Sequence, residues 1–256
     1  MPQINEGEAM HHFFADTSNI DPGAGTARIV GMDVNHIRNA LRMKPGEQIG
    51  VRDGISRSYV CAIETLEEEE VRARILSEET DSSELPARLY LFQGLPKGDK
   101  MELIIQKAVE LGAYEIIPVA TRRAVVKLDA KKAESKRKRW NAIAESAAKQ
   151  SGRMFIPQVT KVMSLAEALD YGKGFDRNLI PYELAEDMAA ARAEIAQIRP
   201  GMSVGIFIGP EGGFDTKEVE LAKAHGVRPI TLGRRILRTE TAGMAALSVL
   251  MFHLEG

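Results

Sequence analysis

The chain has 256 residues, 44% of them hydrophobic and 27% charged, with a formal net charge of −2. That is enough apolar material for one large or two modest folded domains, and it excludes disorder as the main state. The single cysteine, Cys61, excludes an internal disulfide and any multi-cysteine metal site. No apolar run approaches the ~18 residues of a membrane span, and the segment up to Phe14 lacks a signal-peptide pattern, so a cytoplasmic location is expected.

The first part of the chain predicts short strands at Thr26–Val30, Gln48–Arg52, Ser58–Thr65 and Glu70–Leu76. Pro22-Gly23, Pro45-Gly46 and Asp53-Gly54 read as turns between them. A short helix is expected at His36–Met43 with Asn35 as its N-cap. Strands this short and this close suggest a small barrel over residues 1–80. The acidic run Glu67–Glu70 and the polar stretch Glu78–Pro86 mark a boundary.

From residue 87 strand and helix patterns alternate. Strands are expected at Arg88–Phe92, Tyr114–Val119, Asn178–Tyr182, Ser203–Ile208 and Val227–Leu232. Helices are expected at Lys100–Leu111, Ala133–Gln150, Glu186–Ile198, Asp215–His225 and Glu240–His253. Gly112, Gly152 and Gly226 act as stops, and Asp215 or Thr216 as a cap. This βαβα order predicts a parallel sheet covered by helices over residues 87–256.

Charge is distributed unevenly. Residues 1–86 hold eight basic and sixteen acidic side chains, whereas residues 121–153 hold eleven basic and three acidic ones. A polyanion partner and a solvated lysine-rich helix face both fit that segment, and charge alone leaves both open.

Two loops at predicted strand ends carry the candidate chemistry. Ile208-Gly209-Pro210-Glu211-Gly212-Gly213-Phe214 follows a buried-type strand, and its glycines allow backbone to approach a ligand closely. Ligands of open α/β sheets bind at that end. The loop fits neither the P-loop nor the dinucleotide fingerprint. The second loop runs from Leu232 through Gly233, Arg234, Arg235, Ile236, Leu237, Arg238, Thr239 and Glu240 to Thr241, Ala242 and Gly243, with Thr239 as a possible helix cap. A tight turn and a basic surface loop are the plain structural alternatives.

GPEGGF followed by LGRRILRTETA resembles the cofactor loops of the SPOUT methyltransferases. Within these the chain is similar to the RsmE family, which methylates N3 of a uridine in 16S ribosomal RNA. Further matching segments are Lys97–Gly112, Arg122–Asp129, Arg139–Arg153 and His36–Glu47, so the resemblance spans nearly the whole chain. It implies an N-terminal PUA-like RNA-binding β-barrel and a C-terminal methyltransferase domain with a deep trefoil knot. It also implies bound S-adenosyl-L-methionine, no metal, a homodimer, and 16S rRNA within the assembled small ribosomal subunit as the partner.

By position, the resemblance implies cofactor contacts from Ile180, Pro181 and Glu183, from Gly209, Pro210, Glu211, Gly212 and Gly213, and from Leu232, Gly233, Ile236, Leu237, Arg238, Thr241 and Ala242. The chain departs from the family pattern at His11-His12, where an arginine is usual, and at Arg122, where an acid is usual.

The sulfonium methyl of that cofactor is already electrophilic, so the enzyme must supply alignment and an activated nucleophile. N3 of uracil becomes one when its proton leaves and negative charge spreads over O2 and O4. Arginine donors aimed at those oxygens would favour that anion. Arg153, at the end of the long basic helix, is the first candidate; Arg123 and Arg238 are the others, for base or phosphate. Glu211 is the candidate base, with shaping the loop as its alternative role, and electrostatic activation without a dedicated base is expected. Candidate RNA contacts are Arg38, Arg42, Lys97, Lys100, Lys107, Lys127, Lys149 and Gln150. Trp140 is expected in the core rather than as a stacking platform. The alternatives are an enzyme of the same superfamily acting on another RNA, and a catalytically silent RNA-binding ribosome-assembly factor. A pure binder has no need of the intact cofactor loops.

Overall fold

The computed structural model describes residues 10–79, 83–183, 185 and 187–255. The chain divides into two compact units. One runs to Glu84 and takes in Gly152–Ile156; the other comprises Leu85–Ser151 and the chain from Pro157. The excursion Gly152–Ile156 is absent from a linear division at residues 80 and 87.

The first unit contains β1 (His12–Phe14), β2 (Ile20–Asp21), β3 (Thr26–Val30), α1 (Met32–Asn35), β4 (Gln48–Arg52), β5 (Ser58–Leu66) and β6 (Glu70–Glu78). Their order in one sheet is β1-β4-β5-β6-β3-β2, with β1 parallel to β4 and the other pairs antiparallel. Alternation along β3 buries Ala27 and Ile29 and turns Thr26, Arg28 and Val30 outward, the period-2 pattern of a half-buried strand. Phe13 of the edge strand β1 shares one core with Ile29, Ile37, Val51, Cys61 and Val71. The sheet is therefore curled around its own interior, as a barrel requires. Among the described residues its edge strands β1 and β2 do not pair with each other.

The expected helix at His36–Met43 begins earlier. α1 starts at Met32 behind Gly31 (φ 78°) and runs into a π turn at His36–Ala40. Asn35 is not a cap; its side-chain oxygen accepts from the Asn39 amide at 2.6 Å. Arg42, at φ 55°, follows in the left-handed region.

The second unit contains β7 (Arg88–Gly94), α2 (Lys100–Glu110), β8 (Ala113–Ala120), α3 (Ala130–Gln150), β9 (Gln158–Val159), β10 (Met163–Ser164), α4 (Leu165–Gly172), β11 (Arg177–Pro181), α5 (Met188–Ile195), β12 (Ser203–Ile208), α6 (Thr216–Ala224), β13 (Arg228–Ile230) and α7 (Thr239–Glu255). The sheet order is β10-β8-β7-β12-β11-β13, parallel throughout, with β9 also on β8. Phe92 of β7 stacks on Phe207 of β12 at 4.1 Å in a core that also holds Val119, Leu169 and Val219. Trp140 is buried in α3.

The predicted start of α5, Glu186, lies outside the described residues; the helix is capped by Asp187, whose carboxylate accepts from the Ala189 and Ala190 amides. α4 was not expected, although its signature is present. Ser164 and Glu167 form a capping box at its start.

Candidate functional site

Because β11, β12 and β13 are parallel neighbours, their C-terminal ends lie on one edge of the sheet. The loops that follow them enclose a cavity of about 970 Å3. Pro181, Tyr182 and Glu183 come from the first loop and Gly209–Phe214 from the second. Thr231–Arg238 come from the third, with Thr239 and Ala242 at the start of α7.

Of the residues expected to contact a cofactor, the structure gathers Pro181, Glu183, Gly209, Pro210, Glu211, Gly212, Gly213, Leu232, Gly233, Ile236, Leu237, Arg238 and Ala242 around this one cavity. Ile180 is buried in β11 behind it, and Thr241 is exposed on the first turn of α7; neither lines it. Tyr182, Phe214, Arg234 and Arg235, which lie in the candidate loops but carry no expected cofactor contact, also line it, as does Met188 of α5, a residue on which the sequence places no expectation of contact.

The second loop is held from several sides. A Cβ on Gly209 would stand 2.9 Å from the Gly213 carbonyl carbon, so only glycine allows the loop to close on itself there. A Cβ on Gly94, at the end of β7, would stand 2.7 Å from the Pro210 ring. The Gln93 amide donates to the Thr239 hydroxyl at 2.9 Å, and Thr239 donates to the Gly209 carbonyl at 2.6 Å. Gln93 thus ties the second loop to the start of α7. A lone glutamine at a strand end carries no periodic signal, and the sequence does not reveal this role.

Glu211 accepts from the Lys97 backbone amide at 3.0 Å and from the Lys100 ammonium at 3.0 Å. Partial burial pushes its carboxyl up, but these hydrogen bonds outweigh it and hold the group below the ordinary carboxylate range. The hydrogen bond to Glu211 in turn raises Lys100, which also lies 3.5 Å from Glu240.

Of the three candidate arginines, only Arg238 lines the cavity. Arg123 sits behind the second loop. It donates to the Gly212 carbonyl at 2.9 Å and approaches Asp215 at 3.8 Å. Its neighbour Arg122 donates its backbone amide to Glu218 at 2.7 Å and also approaches Asp215 at 3.8 Å. Arg122 thereby complements the acids at the start of α6.

Arg153 is placed elsewhere. It belongs to the first unit, is 4% exposed, and its guanidinium is ion-paired to Glu84. Glu84 also accepts from the Met154 and Phe155 amides at 2.9 and 3.2 Å, and Arg52 donates to the Arg153 carbonyl at 3.1 Å. The expected projection of this side chain into a cleft is replaced by an internal tether.

The expected RNA contacts are spread over both units. Arg38 and Arg42 lie on the first, half-buried and exposed respectively. On the second, Lys97, Lys127 and Gln150 are exposed, Lys107 pairs with Glu110 at 2.7 Å, and Lys149 pairs with Glu145 at 3.3 Å. Lys100 faces the cavity instead. Of the paired histidines near the start, His12 lies 3.5 Å from Glu79, and burial and the nearby Arg52 hold its pKa down. Among the described residues no three His, Cys, Asp or Glu side chains gather as metal ligands would.

The pattern that defines the RNA methyltransferase domain matches residues 83–251, and that of the RNA methyltransferase PUA domain matches residues 31–76. Ribosomal RNA small subunit methyltransferase E of Bacillus subtilis is 41% identical over 238 residues, 91% of this chain and 92% of that protein. Its namesake from Mycobacterium bovis is 31% identical over 92% of this chain and 88% of its own. The crystal structure of a ribosomal RNA small subunit methyltransferase E from Neisseria gonorrhoeae bound to S-adenosyl methionine superposes with a TM-score of 0.80. It is 33% identical, over 95% of this chain and 98% of that one.

Proposed function

Since the chain belongs to the ribosomal RNA small subunit methyltransferase E family, we propose that it methylates N3 of one uridine in 16S ribosomal RNA. It is an S-adenosylmethionine-dependent rRNA methyltransferase. The observation that carries the reading is the single cavity assembled by three strand-end loops. Its volume, about 970 Å3, lies at the upper end of pockets that bury small ligands, so it leaves space for a nucleobase beside a cofactor. The donor set fits the cofactor as well. Backbone groups of Gly209–Gly213 and Leu232–Leu237 would hold its adenine and ribose, with Pro181, Glu183 and Ala242 also lining the cavity.

The cofactor supplies an electrophilic methyl group on a sulfonium. The protein must orient the uracil ring and favour its N3 anion. Arg238 does so by donating to the ring oxygens, where charge develops as the proton leaves. Arg123 contributes by holding the Gly212 turn. Arg153 fixes the loop that joins α3 to β9. Glu211, held anionic by Lys100 and the Lys97 amide, is a weak base, so the proton leaves to solvent. Fixed donors and positioning supply the rate enhancement.

Three further properties belong to this reading. The chain after β13, at the sheet edge, turns back to place α7 against α2, β12 and β7, as a trefoil-knotted path requires. Val249 and Phe252 of α7, the latter 80% exposed, supply an apolar face for a homodimer. The substrate is the assembled small subunit in the cytoplasm, held in part by the first unit and its Arg38 and Arg42.

The test uses small subunits from cells lacking this protein, labelled S-adenosylmethionine, and mass spectrometry of the digested RNA. N3-methyluridine at one site is the expected product. Another methylated base would overturn the assigned position, and label only on another RNA would overturn the substrate. Cofactor binding without transfer to any RNA would favour the silent assembly factor.

A further inference from the structure

The third loop, between β13 and α7, is anchored at both ends and protrudes in the middle. Thr231 is buried and its hydroxyl accepts from the Gly233 amide at 3.2 Å; Thr239 is buried at the other end. Between them Arg234, Arg235 and Ile236 are exposed, and the Ile236 side chain is 87% exposed at the cavity mouth. The side chains of Arg234, Arg235 and Arg238 make no hydrogen bond or ion pair with any described residue. Other cations near the same cavity and on α2 and α3 are paired with acids: Lys100 with Glu211, Lys107 with Glu110, Arg137 with Glu134 and Arg139 with Glu102.

An apolar, β-branched side chain has few rotamers and so presents a stiff tip. Left in water beside three guanidinium groups that have no partner among the described residues, it has the chemistry of a wedge between bases flanked by phosphate clamps. A base that is methylated on its pairing edge must leave its stack, and the vacancy it leaves is apolar on both faces.

We propose that Ile236 is the wedge that enters the RNA stack vacated by the target nucleotide, with Arg234 and Arg235 gripping the phosphates on either side. The proposal rests on the rRNA methyltransferase reading and names how that site opens its substrate. The backbone of the same loop faces the cofactor while its side-chain tip faces RNA. The charge of the tip favours RNA over a second copy of the chain as occupant.

The experiment probes unmodified small subunits with a 2′-hydroxyl acylating reagent, which marks nucleotides displaced from a stack, at saturating protein. Wild-type protein should raise the reactivity of the target nucleotide and its neighbour several-fold. Ile236→Ala should retain the surrounding footprint, lose that enhancement, and lower single-turnover methylation at saturation by tenfold or more. Arg234→Ala with Arg235→Ala should instead weaken binding and reduce the salt dependence of affinity by about two counterions, keeping the enhancement once saturated. Enhancement by Ile236→Ala equal to wild type would overturn the wedge. So would a change in its sedimentation, which would assign the side chain to contact with a second copy. If wild-type protein methylates without any enhancement, the wedge alone is wrong; if it methylates no rRNA, the underlying reading is wrong as well.

Discussion

The Thr239 hydroxyl and the Gly209 carbonyl meet at 2.6 Å, joining the first residue of α7 to the turn that follows β12. Gln93, completely buried at the end of β7, donates to the same hydroxyl. Two of the three cavity loops are therefore fixed to each other through a hydroxyl that accepts one hydrogen bond and donates another.

Thr239→Val keeps the shape of the side chain and removes both bonds. Leaving buried groups unpaired costs about 1–3 kcal/mol, and the loss falls on the geometry of the loops. The expected outcome is a roughly tenfold weaker cofactor Kd by calorimetry, the equivalent of ~1.4 kcal/mol. Gln93→Leu should act on the same connection, so the double variant should lose little more than either single one. Additive losses in that cycle would show that the two residues act independently.

The Lys100–Glu211 pair should make the cavity rim sensitive to acid. The Glu211 carboxyl is lowered in the folded protein, so its contribution is complete above the ordinary carboxylate value and is lost as pH falls through the lowered one. Lys100 is raised, so its contribution holds below the ordinary lysine value and is lost only as pH climbs through the raised one. The difference in Tm between wild type and Glu211→Gln should therefore stay constant over roughly pH 6–9 and shrink below about pH 4. A carboxylate this well satisfied is a poor base. The rise of single-turnover rate with pH should keep its shape in Glu211→Gln, and loss of that rise would restore Glu211 as the proton acceptor.

Much of this site was legible because its signals are local. Gly209, Gly212 and Gly213 follow a continuous apolar strand, and Arg234 to Ala242 follow another, so chain order alone predicts two loops at one sheet edge. The capping box of Ser164 and Glu167 was equally local, yet the short strands before α4 broke the pattern around it. Gln93 was not legible, because its partner lies 146 residues away and a single polar residue has no period. For Arg153 the sequence suggests a projecting guanidinium, since a Gly-Arg step after a long basic helix looks like a reaching loop. Its partner Glu84 sits 69 residues upstream in a stretch that reads as a mere boundary.

Cys61 should be inert in the folded protein. The thiol is fully buried on β5, and burial pushes its pKa up to about 12. Reaction requires the thiolate, which is scarce at neutral pH in such a site. A disulfide reagent at pH 8 should leave native protein unlabelled and modify it within the dead time once denaturant is added. Rapid labelling without denaturant would mean that the sheet of the first unit opens locally around β5.

Arg153 offers the sharpest separation of a structural from a catalytic arginine. Its guanidinium meets Glu84 through two nitrogens, and Glu84 also takes the two backbone amides that follow Arg153. Lysine at this position would keep the charge and lose the planar fork. Removing one member of a buried pair typically costs 3–5 kcal/mol, and the partial exposure of Glu84 places the expected loss for Arg153→Ala near the lower end, about 3 kcal/mol. That corresponds to a fall in Tm of roughly 6–12 °C. Arg153→Lys should recover part of it. If the residue is a tether, Glu84→Gln should lower Tm in the same way. Single-turnover methylation by all three variants, measured at a temperature where each remains folded, should stay within a few-fold of wild type with an unchanged pH profile. A hundredfold loss of transfer in Arg153→Lys, with Tm preserved and Glu84→Gln active, would return Arg153 to the reacting base.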